Sequence, residues 1–541
     1  MASFQINKRN VLAENDYNFI AIGDPQKLFG AGGLVNSFKK KIFRQGKSTD
    51  TSGFWATLGR QDNGPILDRW SGTITCSRNG NQDFSNNAEL VASEIAAIQA
   101  AFPAEELKPG SFTQRFISLD EVSFSNVGGA SDLRLTIMVK ETEQAVVFIQ
   151  HTDEEDELSA TGVAQYLIPE APEDLGKRDR LTYYFSVPSI PGALSTRFVI
   201  KVLTFERTAG ALVSVNDVRG VFKKLDNPYG FTKYMQHEDG TNIYTPVDPA
   251  GIERDKKTLF LFHGTFSSIM GSYGDLLNGT WFPELLAKGK YEQVIGFDHY
   301  TMVESPFDNA DVFFSLLEPG GVFAKPADII TTSRGGLVGK CVLNHDKQQI
   351  LKFERAATVA CANGVAYFDV AEKLGKFLSV MRQRSPEIST KIIFAALQFG
   401  IDKFVGQPGL KIMKKDDEGL AKILSKDPAH PNLRYFPICG DYKYDRGSEK
   451  LKMKILDLLI SGIMDSKNHD WVVETDYQVK MPANFLAYKQ PASFFRNQPI
   501  DSIHTAYFKD SMTTVTKKKI ADYLHDSDQN VMGATGQNPI S

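Results

Sequence analysis

The stretch Ala327-Asp-Ile-Ile-Thr-Thr-Ser333-Arg-Gly-Gly-Leu-Val-Gly-Lys-Cys341 decides the fold. Its opening residues, mostly apolar or β-branched, read as a strand, and a helical pattern begins just after Ser333. A serine on such a turn has the form of a nucleophile elbow, where small neighbours two positions away let its Oγ stand clear of the sheet edge. Gly335 fills the downstream position, while Thr331 stands where a glycine is usual upstream and crowds the turn. The start of the following helix would present backbone N–H groups to a developing oxyanion. Read alone, the segment fits an ordinary Ser-Arg-Gly-Gly helix cap at least as well.

Its surroundings change that balance. Upstream, Lys257-Thr-Leu-Phe-Leu-Phe262 is a continuous apolar run ending in His263-Gly264, and similar runs at 291–300, 327–332, 356–362 and 433–439 alternate with helical stretches. Strands buried on both faces and separated by helices predict a mainly parallel, doubly wound sheet. We therefore expect one α/β domain over 226–525. In His263-Gly-Thr-Phe-Ser-Ser268 the chain turns sharply after a strand, so the N–H of Thr265 or Phe266 is a candidate second oxyanion donor beside that of Arg334. His263 reads as a brace for this loop rather than a base, with Gly264 supplying the turn.

A general base and an acid should follow the serine in chain order. Of nine histidines, five follow the serine; His345 lies too close along the helix leading away from Ser333, His430 sits in a loop before a strand, His469 adjoins the expected acid, and His525 is near the end. His504, in Ile500-Asp-Ser-Ile-His-Thr-Ala-Tyr-Phe508, is the expected base. Asp470, in His469-Asp-Trp-Val-Val473, is the expected acid, able to accept from the imidazole Nδ1–H and hold its tautomer. Asp441 is the runner-up and Asp476 the third choice.

The 541 residues exceed one module at roughly 100 to 200 residues per domain. Residues 1–225 read as a β-rich domain of sandwich or barrel type, open to division into two subdomains, with short strands such as Leu133–Lys140 and Leu181–Val187 between Gly, Pro and Asn turns. One helix is expected at 87–101, a solvated acidic loop at 153–157, a surface loop entering a short helix at 29–43, and a frayed tail at 526–541. With 61 Lys and Arg against 65 Asp and Glu, the net charge of -4 offers no bulk positive field for nucleic acid. Four scattered cysteines lack zinc-site spacing and read as reduced thiols, and no run reaches the roughly 18 to 20 apolar residues of a membrane span. Cytoplasmic location is the expectation, with peripheral membrane contact left open.

Taken together, Phe262-His-Gly-Thr265, Phe297-Asp-His-Tyr-Thr301, the Thr332-Ser-Arg-Gly-Gly-Leu-Val338 elbow, Gln407-Pro-Gly-Leu-Lys-Ile-Met413, His469-Asp-Trp-Val-Val473 and His504-Thr-Ala-Tyr-Phe508 resemble the α/β-hydrolase superfamily. Within it, the chain is similar to a lipase-like bacterial family typed by a DUF7379 domain. The resemblance covers about residues 226–525 and does not reach the N-terminal region. It implies an α/β-hydrolase fold and a serine hydrolase of small-molecule or lipid esters, working without metal or organic cofactor. A peptidase or thioesterase on the same fold is the first alternative. A hydrolase gated by a protein partner at the N-terminal domain is the second.

Overall fold

Strand formation in the second half follows the apolar runs. In the computed structural model, side chains are described from Arg219 to Tyr523 with interruptions, the longest at 375–403, 443–459 and 482–494, and for residues 2–206 only backbone strands are described. The chain divides into two compact units, one containing Met1–Val215 and the other Asn216–Phe368, Phe404–Tyr444 and Met464–Ser541. In the first unit, paired strands run antiparallel, as in Arg115–Ser125 with Ser195–Glu206 and Leu133–Lys140 with Arg180–Val187. Their packing, the helix expected at 87–101, and the segments at 29–43, 153–157 and 526–541 lie outside the described residues.

The second unit is built on one seven-stranded sheet among the described residues. Its strands are β1 (Gly230–Gln236), β2 (Asn242–Val247), β3 (Thr258–Phe262), β4 (Gln293–Asp298), β5 (Ala327–Thr332), β6 (Phe353–Val359) and β7 (Arg434–Ile438). Their order is β2-β1-β4-β3-β5-β6-β7. The pairs from β4 through β7 are parallel, whereas β1 runs antiparallel to both β2 and β4. An α/β architecture with a mostly parallel sheet is therefore what the periodicity predicted.

Alternation along β3 shows why this apolar run must be central. Leu259 and Leu261 enter a core cluster with Tyr273, Trp281, Phe282 and Tyr523. Phe260 and Phe262 meet Phe313, each at a ring-centroid distance of 5.3 Å. Period-two side chains thus feed both layers, and every β3 residue is buried. Burying each such Leu or Phe contributes about 1.5–3 kcal/mol.

Helices cover the two faces. On the Leu259 side lie α1 (Ile269–Tyr273) and α2 (Trp281–Ala287). On the Phe260 side lies α3 (Pro306–Leu317), started by a Ser305–Asp308 capping box and Pro306 in its first turn. Against α3 packs α4 (Gly335–Leu343), whose nine residues are all buried. Within α3, Phe313, Phe314 and Leu317 are fully buried and belong to the core. Among the described residues no helix is long and apolar enough to cross a membrane.

Candidate active site

The parallel strands deliver their loops to one edge of the sheet, the carboxyl ends where ligands bind in open α/β folds. β5 ends at Thr332, and Ser333 occupies the turn into α4 with φ 53, a left-handed conformation unfavourable for a residue with a Cβ. Neighbouring backbone holds it there. Its N–H donates to Val359 O at 2.9 Å, and its carbonyl accepts from Gly336 N–H at 2.9 Å and Ala362 N–H at 3.3 Å. This is the geometry of a nucleophile elbow.

The unusual Thr331 is accommodated by the helix it faces. A Cβ built on Gly339 would stand 2.7 Å from Thr331 Cγ2, so the absent methyl supplies the room that an upstream glycine would otherwise provide. Gly335 performs the matching service toward β3, since a Cβ there would meet His263 O at 2.5 Å.

The loop after β3 lies beside the serine, with a Cβ on Gly264 falling 3.4 Å from Ser333 Oγ. His263 is fully buried: its Nε2 accepts from His299 N–H at 3.1 Å, which leaves Nδ1–H to donate to Gly264 O at 2.9 Å. Burial, with Arg334 nearby, lowers its pKa to about 4, so it is a neutral brace. Phe266 has φ 57, and its N–H already donates to Thr301 Oγ1 at 3.2 Å. Among the described residues neither the Thr265 N–H nor the Arg334 N–H has a protein acceptor.

Arg334 also has a buried side chain with a separate role. Its Nε donates to Gly409 O at 3.0 Å, Nη1 to Tyr300 O at 3.4 Å and Nη2 to Glu304 O at 2.5 Å, tying the elbow to the loops after β4 and before residue 410. Burial pulls its pKa down to about 10, and Asp226 partly offsets this, so the guanidinium stays charged at neutral pH. Asp226 itself accepts from Thr301 Oγ1 and from the N–H groups of Thr301 and Met302. Asn227 Nδ2 donates to Ser267 O at 2.6 Å. This pair, not singled out from the sequence, anchors two loops from just ahead of β1: Asp226 the one after β4 and Asn227 the one after β3. The Asp226-Asn-Pro228 turn was the available signal.

His504 and Asp470 come together as expected. The ring Nδ1 lies 2.8 Å from Asp470 Oδ2, and the His504 backbone N–H donates to Asp470 O at 2.8 Å. Asp470 is fully buried, and its Oδ1 accepts from the N–H groups of Val472 at 3.1 Å and Val473 at 2.8 Å. A positive φ of 79 at Trp471 lets the chain fold back over the carboxylate. The rivals are occupied elsewhere: Asp441 Oδ1 accepts from His469 N–H, and Asp476 pairs with Arg496. His504 Nε2 is buried and has no hydrogen-bond partner among the described residues, so Ser333 and His504 are not hydrogen bonded in this structure. Such bonds are often long before substrate binds.

The family model described as "Domain of unknown function (DUF7379)" matches residues 225–525, more than half of the chain. The chain belongs to this family. No curated protein matches it. The DUF7379 chain is similar to solved structures that include the mature lipase of Bacillus licheniformis, at 14% identity and TM-score 0.29, covering 50% of this chain and 93% of that one. Lipase 1 from Pelosinus fermentans matches at 12% identity and TM-score 0.30, covering 43% and 86%. An esterase from Pyrococcus furiosus matches at 17% and 0.26, covering 56% and 91%. What this DUF7379 domain does is argued from its own site.

Proposed function

We propose that the DUF7379 domain is a serine hydrolase acting on carboxylic esters. The observation that carries this reading is His504, bound through Nδ1 to a buried carboxylate and left with a buried, unpartnered Nε2 at the carboxyl edge of the sheet. A buried ring nitrogen without a partner costs stability, and waiting for a proton from a serine hydroxyl gives it a use. The strained Ser333 at the same edge is the matching nucleophile.

In this mechanism Ser333 Oγ attacks the acyl carbon while His504 Nε2 takes its proton, and Asp470 keeps the Nδ1–H tautomer and stabilises the imidazolium. The oxyanion receives the N–H groups of Arg334 and Thr265. His504 then returns the proton to the leaving alkoxide, and water repeats the sequence on the acyl-enzyme. Each such donor is worth roughly 3–4 kcal/mol at the transition state. Ester specificity is what the family resemblance implies.

The test compares hydrolysis of p-nitrophenyl acetate, butyrate and octanoate by the full chain and by Ser333→Ala. We expect the wild type to exceed the variant by about 10⁴-fold or more on at least one ester. Equal rates for the two proteins on all three contradict the proposal.

A further inference from the structure

Asp470 accepts more hydrogen bonds than orienting a histidine requires. Oδ1 carries the two backbone donors from Val472 and Val473, while Oδ2 receives both His504 Nδ1 at 2.8 Å and the Tyr507 hydroxyl at 2.9 Å. A carboxylate oxygen has two lone-pair positions, so Oδ2 is filled and its direction toward His504 is fixed from both sides. Tyr507 is 1% exposed, and burial together with the neighbouring Asp470 pushes its pKa well above the usual phenol value. It therefore stays a hydroxyl donor.

Room for that hydroxyl is made by a residue distant in sequence. Just past β7, Gly440 donates its N–H to Gln478 Oε1 at 2.7 Å, and its carbonyl accepts from Thr475 Oγ1 at 2.8 Å. A Cβ built on Gly440 would overlap the Tyr507 hydroxyl oxygen. The glycine is thus required by the position of the tyrosine. The other titratable groups facing Asp470 from packed elements are Tyr367 and Cys439, both held neutral by burial; Asp441 stands near Tyr507 and Cys439.

We propose that Tyr507 is a positioning residue for the acid, its hydroxyl sharing Asp470 Oδ2 with His504 in space kept open by Gly440. The proposal rests on the Ser333-His504-Asp470 reading. With the hydroxyl removed, the buried carboxylate loses one charge-assisted bond, turns more freely and draws more strongly on the His504 proton. The protonated imidazole then persists to higher pH, where it cannot act as a base.

The experiment measures the second-order rate of fluorophosphonate labelling against pH for the full-length wild type, Tyr507→Phe, Gly440→Ala and the double variant, with the melting temperature of each. We expect Tyr507→Phe to label about tenfold more slowly, with the acid limb of its profile moved upward by roughly half a pH unit. Gly440→Ala should reproduce both effects by displacing the hydroxyl, and the double variant should be no slower than Gly440→Ala alone. A merely structural role lowers the melting temperature without moving the limb. Labelled wild type with an unmoved Tyr507→Phe profile, or effects that add in full, overturns the proposal and leaves the triad standing. A wild type that the probe does not label contradicts the triad and the positioning role together.

Discussion

Gly264 lies so close to Ser333 that a Cβ built on it would stand 2.8 Å from the serine Cβ. The two residues stand just past the ends of the adjacent strands β3 and β5. We predict that Gly264→Ala pushes the elbow and the Thr265 N–H apart, lowering kcat/KM for ester hydrolysis by about 100-fold. The melting temperature, measured alongside, should fall by only a few degrees, because the change lies at a loop and not in the core.

Substitution of the acid separates Asp470 from its rival. Asp470→Asn keeps the size of the group but changes what it offers to Nδ1, and should cost about 10⁴ in kcat. Asp441→Asn should stay within about threefold of wild type, because Asp441 caps His469 N–H instead of meeting His504. Steady-state kinetics on one ester distinguishes them.

Arg334 should matter to stability through its side chain. Its guanidinium donates to the carbonyls of Gly409, Tyr300 and Glu304, of which Tyr300 O also keeps Asn309 Nδ2 as a donor. A lysine cannot span them, so Arg334→Lys should destabilise by roughly 3 kcal/mol, read from the midpoint of urea unfolding. The Arg334 backbone N–H survives the change, and labelling of Ser333 should persist in the folded fraction.

Acid should weaken the fold through His263. The unfolded chain binds this proton near pH 6.5 and the folded chain only near 4, because burial disfavours the charged ring. Between those values the unfolded state holds more protons, so the contribution is complete above about pH 6.5 and is lost as pH falls toward 4, amounting to about 3 kcal/mol. His299, stacked on His263 at 4.1 Å and held well below its usual pKa by burial, acts in the same direction. Asp226, Asp298 and Asp328 are pushed up by burial and act with the opposite sign. Comparing urea midpoints at pH 7 and 4.5 for wild type and His263→Gln isolates the histidine: the variant should show the smaller drop.

The parts of this site that could be read from sequence are those coded locally. The apolar run Thr258–Phe262 specifies a doubly buried strand, and Thr332-Ser-Arg-Gly carries the elbow because strand, turn and helix signals sit in consecutive residues. Chain order narrowed the histidines and local context then favoured His504 and Asp470, whose side chains lie 2.8 Å apart. Contacts made by tertiary approach left no local trace. Gly440 makes room for Tyr507 and Thr301 takes the Phe266 N–H, yet each pair is far apart in the chain. Asp226 escaped notice for the same reason, since its partners follow β4.

The central claim is that Ser333 is a nucleophile, and the most direct measurement is the intact mass of the full-length protein after treatment with a fluorophosphonate. The account predicts a single stoichiometric adduct mapped to Ser333, absent from Ser333→Ala and strongly reduced in His504→Ala. Folded wild type that forms no adduct, or forms it at another residue with Ser333→Ala labelled equally, would contradict it.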